Sequence, residues 1–109
     1  MTMNGLDASQ FLPMFKAEAL DRLQRAAEGM RALERDPVAP GRLEACCREV
    51  HTVRGAAGMM QCAVIARRAR ALEDLLTGLG QGQRPLTSEV TQQILQELNQ
   101  LRGLVEAIG

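Results

Sequence analysis

The sequence predicts an all-α fold, an antiparallel up-down four-helix bundle. Three observations point there. Apolar residues recur at steps of three and four in four separate segments. Proline and glycine punctuate the joints between those segments. No stretch alternates with the two-residue period of a strand. Short connections make sequential helices antiparallel neighbours.

The first helix is expected over about residues 8–35, with Phe11, Leu12, Phe15, Ala19, Leu20, Leu23, Ala26, Ala27, Met30 and Leu33 as its stripe. Asp7 or Ser9 is its expected N-cap, and Asp36-Pro37 and Pro40-Gly41 end it. The second covers about 41–60, with Leu43, Cys47, Val50, Val53, Ala57 and Met60 on one face. That phase puts Cys47 in the core and Cys46 nearer the surface. The third, about 63–79, carries Ile65, Ala69, Leu72, Leu75 or Leu76, and Leu79, and Gly78, Gly80, Gly82 and Pro85 close it. The fourth, about 88–108, starts at a Thr87 or Ser88 cap and carries Val90, Ile94, Leu98, Leu101, Val105 and Ile108. No repeat or internal boundary interrupts residues 1–109, which read as a single domain.

A chain of 109 residues buries one modest core. Thirteen basic residues balance thirteen acidic ones, so no basic field covers the surface to hold nucleic acid. Two Phe, with no Trp or Tyr, leave no aromatic platform for stacking bases. Three Cys, two of them adjacent, are not a disulfide framework, and a reducing compartment is expected. One His and that Cys spacing do not supply the four donors of a zinc site, so no metal is expected. No apolar run approaches the roughly 20 residues of a membrane span, and no signal sequence opens the chain. A cytoplasmic protein without membrane association is the expectation.

His51 is the only histidine, and it follows the core residue Val50. One helical step is a rotation of about 100°, so the imidazole stands at the border of the buried stripe. Arg54, Gly55 and Gly58 follow three, four and seven residues on and share its face. Two glycines inside a helix cost roughly 1 kcal/mol each relative to Ala, and propensity does not explain them. They leave an open surface beside the ring that a partner or a phosphoryl donor can approach. With the hairpin turning near Cys62, His51 lies eleven residues before the turn and Glu73 eleven after it. Equal rise per residue then sets the two at one height on antiparallel helices. Arg70 lies one turn from Glu73 and adds a second positive charge.

These parts suit a nucleophilic histidine. A carboxylate accepting the hydrogen of one ring nitrogen fixes the tautomer and balances the charge that grows as the other nitrogen attacks phosphorus. Arg54 is placed to offset charge on the phosphoryl oxygens. No Gly-rich phosphate loop follows a strand, so the phosphoryl group is expected from another protein or domain.

The run His51-Thr52-Val53-Arg54-Gly55-Ala56-Ala57-Gly58 resembles the His-Thr-x-Lys-Gly-Ser-Ala motif of histidine phosphotransfer (Hpt) domains, closest to those at the N-terminus of CheA-type chemotaxis kinases. Leu72-Glu73-Asp74-Leu75-Leu76 resembles the family's segment with the glutamate that bonds the histidine, and the similarity covers nearly the whole chain. The resemblance implies a phosphoacceptor module of a two-component system. His51 would take the phosphoryl group from the ATP-binding domain of a histidine kinase and pass it to an aspartate of a response-regulator receiver domain. Glu73 would be its hydrogen-bond partner, Arg54 the cation near the phosphate and Gly55 the small residue beside the site. No cofactor would be bound, ATP being used by a separate kinase domain. Two departures stand out: Arg54 replaces the family's usual Lys, and Arg70 stands where CheA-type domains often carry a second His.

Arg67, Arg68 and Arg70 read as a solvated face or a docking surface for an acidic receiver, and Met59 and Met60 as an apolar rim for it. The competing reading is a structural or dimerising bundle without phosphate chemistry, in which the glycines serve close packing. A free-standing carrier and a kinase's own phosphoacceptor domain would share this site, and the resemblance to the chemotaxis-type motif favours the second.

Overall fold

The computed structural model describes residues 8–37 and 41–109. Four helices form in chain order: α1 Leu12–Arg35, α2 Arg42–Met59, α3 Ala63–Gly80 and α4 Ser88–Glu106. Helix α1 packs on α2 and α4, and α3 packs on the same two, so the helices form a four-sided, up-down bundle. Its extents are 48 × 23 × 20 Å. No strand is present among the described residues.

A tight 3-10 turn, Ala8–Phe11, precedes α1 and delays its start. Phe11 is the N-cap residue and no side chain caps the helix. The N-cap position falls on Phe11 and not on Ser9, which lies inside the preceding turn, while Asp7 falls outside the described residues. Pro13 sits in the first turn of α1, where its missing N–H has no intrahelical partner to lose. Gly41, with φ +78°, opens α2 in the left-handed region. Helix α3 runs through Gly78, which is buried, and ends only after Gly80. Its stop comes from a Schellman turn: Gln83 N–H reaches Gly78 O at 2.9 Å and Gly82 N–H reaches Leu79 O at 3.1 Å, with Gly82 at φ +74°. Thr87 caps α4, its Oγ1 accepting from Val90 N–H at 3.1 Å.

The four stripes meet in one core. Met30, Val50, Ile94 and Val105 are fully enclosed, with Leu23, Val53, Leu76 and Leu101 beside them. Burying a side chain of this size is worth about 1.5–3 kcal/mol. Of the alternatives on α3, Leu76 is buried and Leu75 only half-buried.

The two adjacent cysteines are placed opposite to expectation. Cys46 is buried and Cys47 is half-buried. Gly29 of α1 is the reason. A Cβ there would lie 2.9 Å from Cys46 Sγ, so its absence lets the thiol nest between the helices. Cys46 Sγ–H then donates to Ala26 O at 3.4 Å. Cys47 turns instead to the α2–α3 seam, 3.5 Å from Thr77 Oγ1.

Candidate functional site

Helix phase places both members of the central pair. Val50 and Leu72 are locked in the core, and His51 and Glu73 follow each by one step. The α2–α3 hairpin closes through Gln61, at φ +60°, with Cys62 N–H bonded to Ala57 O at 2.9 Å. This short antiparallel turn brings the two residues level. His51 Nδ1 lies 2.6 Å from Glu73 Oε2. The His51 side chain is 58% exposed and that of Glu73 17%, so the ring projects from a half-sheltered carboxylate.

Arg54 completes the cluster. Its Nε–H donates to Glu73 Oε1 at 2.6 Å, and its Nη2 stands 3.1 Å from His51 Nδ1. Two lone pairs cannot meet at 2.6 Å, so a proton lies between Nδ1 and Oε2. With the carboxylate also paired to the guanidinium, that proton belongs to the ring. Nδ1 then has no lone pair for Arg54 Nη2, whose approach is a charge beside the ring and not a hydrogen bond. A neutral imidazole in this tautomer carries its lone pair on Nε2. No described residue hydrogen-bonds Nε2.

Gly55 and Gly58 face open space: a Cβ at either position would meet nothing within 4 Å. They floor a shallow groove between α2 and α3 of about 490 Å³, walled by Arg54, Arg67, Arg70 and Ala66. Arg70 is exposed and has no described hydrogen-bond partner. Arg68 leaves this group, since it turns to α4, bonding Gln100 and lying 3.9 Å from Glu97. The three arginines that look contiguous in sequence thus serve two faces. Among the described residues no His, Cys, Asp and Glu side chains gather into a metal-holding group.

A second depression joins the expected rim residues Met59 and Met60 to α1, and this α1 side was not foreseen from the sequence. An apolar groove of about 420 Å³ runs between α1 and α2, lined by Phe11, Met14, Phe15, Val53, Ala56, Met59 and Met60. Met59, 75% exposed, is the ridge between it and the glycine groove. The exposed Met14, set outside the α1 stripe, was the available signal. Beside this groove Arg22 joins α1 to α2, bonding Glu49 at 2.9 Å across the helices and Glu18 at 2.9 Å within α1.

Fold and cluster together define a four-helix bundle that presents a lone imidazole on its flank, held at one nitrogen and open at the other. The Hpt domain family model matches residues 10–104. The chain therefore belongs to the Hpt domain family, the histidine phosphotransfer domains. It is 27% identical over 103 residues to the chemotaxis protein CheA of Bacillus subtilis (strain 168). That match covers 94% of this chain and 15% of the relative, so the chain spans a small part of that protein's length. The structure superposes on the CheA phosphotransferase domain from Thermotoga maritima with a TM-score of 0.85, covering 95% of this chain and 98% of that one at 24% identity. The second likeness establishes the fold. No helix among the described residues is long and apolar enough to cross a membrane.

Proposed function

We propose that His51 is the phosphoacceptor of a chemotaxis-type two-component pathway. The observation that carries this is the Nδ1–Glu73 hydrogen bond at 2.6 Å on an exposed ring, which leaves the Nε2 lone pair without a described partner and nucleophilic. The Nε2 lone pair forms a bond to the γ-phosphorus of ATP held by a kinase domain, the phosphorus–oxygen bond to ADP breaks, and ADP leaves. The ring becomes a cation whose Nδ1–H is balanced by Glu73. A carboxylate oxygen of a receiver aspartate then attacks phosphorus, and the bonding pair returns to Nε2. Arg54 and Arg70 supply positive charge near the site, and the groove over Gly55 and Gly58 gives a partner close access. The partners are a histidine kinase ATP-binding domain and a response-regulator receiver, in the cytoplasm. ATP belongs to the kinase domain and this chain contributes the acceptor.

A purely structural bundle gives no account of an exposed imidazole held by a half-sheltered carboxylate. The test is phosphorylation by a CheA-type catalytic domain with labelled ATP. Wild type should take an acid-labile, alkali-stable label, and a folded His51→Gln protein should take none. Equal labelling of both would place the acceptor elsewhere and overturn the reading.

A further inference from the structure

Two exposed methionines flank the apolar groove, and neither the core nor the phosphate chemistry uses them. We infer that Met59 is a modification site: a peroxide converts its thioether to the sulfoxide, and this weakens docking of the kinase ATP-binding domain that labels His51. The inference rests on reading His51 as the phosphoacceptor and gives that site a regulation.

Exposure sorts the described methionines. Met59 is 75% and Met14 68% exposed, Met60 is half-buried, and Met30 is sealed in the core at 0%. Oxidation needs contact between the peroxide and Sδ, so Met59 and Met14 are open to it and Met30 is not. The Sδ lone pair attacks one peroxide oxygen and the O–O bond breaks. The departing hydroxide takes the proton of the transferred oxygen and leaves as water. Sulfur loses two electrons and the peroxide gains them.

Place separates Met59 from Met14. Met59 lies eight residues after His51 on the same helix, about 12 Å along its axis. It borders both the glycine groove and the apolar groove, whereas Met14 lines the apolar groove. A partner of ordinary footprint covers about 800 Å², a disc of roughly 16 Å radius. A kinase domain that brings the γ-phosphorus to Nε2 therefore reaches Met59. A flexible, apolar thioether suits such a contact. The sulfoxide sets a hydrogen-bond acceptor there, and an acceptor buried without a donor opposes association. The added oxygen lies away from the His51–Glu73–Arg54 cluster, so the chemical step is spared.

The test treats the folded chain with dilute hydrogen peroxide, maps it by peptide mass spectrometry and measures labelling over a range of domain concentrations. Each protein is compared with its own untreated sample. Met59 should gain oxygen at least about tenfold faster than Met30. The half-saturating concentration of wild type should then rise about three- to tenfold, with the rate at saturation little changed. Methionine sulfoxide reductases should reverse the rise, which separates it from cysteine oxidation. Met59→Leu should show no rise on treatment, and Met14→Leu should respond as wild type does. An unchanged half-saturating concentration in protein fully oxidised at Met59 would overturn the switch, as would a wild-type response in Met59→Leu. If an active kinase labelled no untreated protein, the phosphoacceptor reading would fall and the docking effect with it, while the mass map would still decide which methionine the peroxide attacks.

Discussion

Glu73 accepts from His51 and Arg54 while its own side chain remains 17% exposed, at the edge of the core. Glu73→Ala should therefore slow labelling of His51 by on the order of ten- to a hundredfold, since a fixed tautomer and a balancing charge are both lost. The stability cost should stay within about 1–2 kcal/mol, as the neighbouring Leu72 keeps the helix packed. Initial-rate assays beside a thermal melt separate the two effects, and an unfolded Glu73→Ala would make Glu73 chiefly structural. Gln61 offers a contrasting case, because it carries a positive φ of 60° without being glycine. The left-handed region costs an L-residue roughly 1–2 kcal/mol, part of which glycine returns through unfolded-state entropy. Gln61→Gly should raise stability by about 0.5–1 kcal/mol in urea titrations and leave labelling unchanged. The His51–Glu73 pair was legible in the sequence because helix geometry is rigid: two residues equidistant from a turn, each one step from a core position, must meet. Arg54's partner was not legible. A long side chain can turn along either of two directions from the same Cα, and only the position of Glu73 Oε1 decides between them.

Helix α2 shows how a stripe is ambiguous by one residue. Cys46 and Cys47 lie four and three residues before Val50, and both spacings are helical. The neighbour decides: Gly29 on α1 opens a hollow, and Cys46 fills it. Reading α2 by itself could not reveal this, because the deciding vacancy belongs to another helix. Gly29→Ala would press a Cβ to 2.9 Å from a buried sulfur, so that either the Cys46 side chain or the α1–α2 packing must give. Overpacking costs about 1–3 kcal/mol, set against the gain of about 1 kcal/mol in helix propensity. A net loss of up to about 2 kcal/mol is expected. Pairing it with Cys46→Ala removes the clash, so the double mutant should be more stable than the two single losses predict, by at least about 0.5 kcal/mol. Chemical denaturation of the four proteins in the cycle measures this, and strict additivity would show that the helices shift freely. The stop of α3 shows the same limit on reading a helix by itself. Glycine at 78 suggests an end, but Leu79 still packs in the core and the helix continues until Gly82 supplies the left-handed turn.

For the whole molecule, the buried thiol ties the α1–α2 interface to alkaline stability. Burial first, and the nearby Glu49 second, push the Cys46 thiol up from 9.0 to about 11 against the opposing effect of Arg42. The unfolded chain gives up this proton near pH 9.0, two units before the folded one does. Below pH 9 the thiol is protonated in both states and its contribution is fully present. Between pH 9 and 11 the unfolded state ionises first, so stability falls as pH rises, at up to about 1.4 kcal/mol per pH unit for one proton. Above pH 11 both states are ionised and this slope vanishes. Urea midpoints measured from pH 7 to 11 should therefore decline across the upper half of that range. In Cys46→Ala the starting stability should be lower, because Sγ packing and its bond to Ala26 O are gone, but the component of the decline due to this thiol should be gone too. Thiol-reactive reagents give an independent check, since a site 2% exposed that resists ionisation should react only as fast as the bundle opens. If Cys46 reacted at the rate of a free thiol at pH 8 in the folded protein, the α1–α2 seam would be open in solution and the pH slope would have another source.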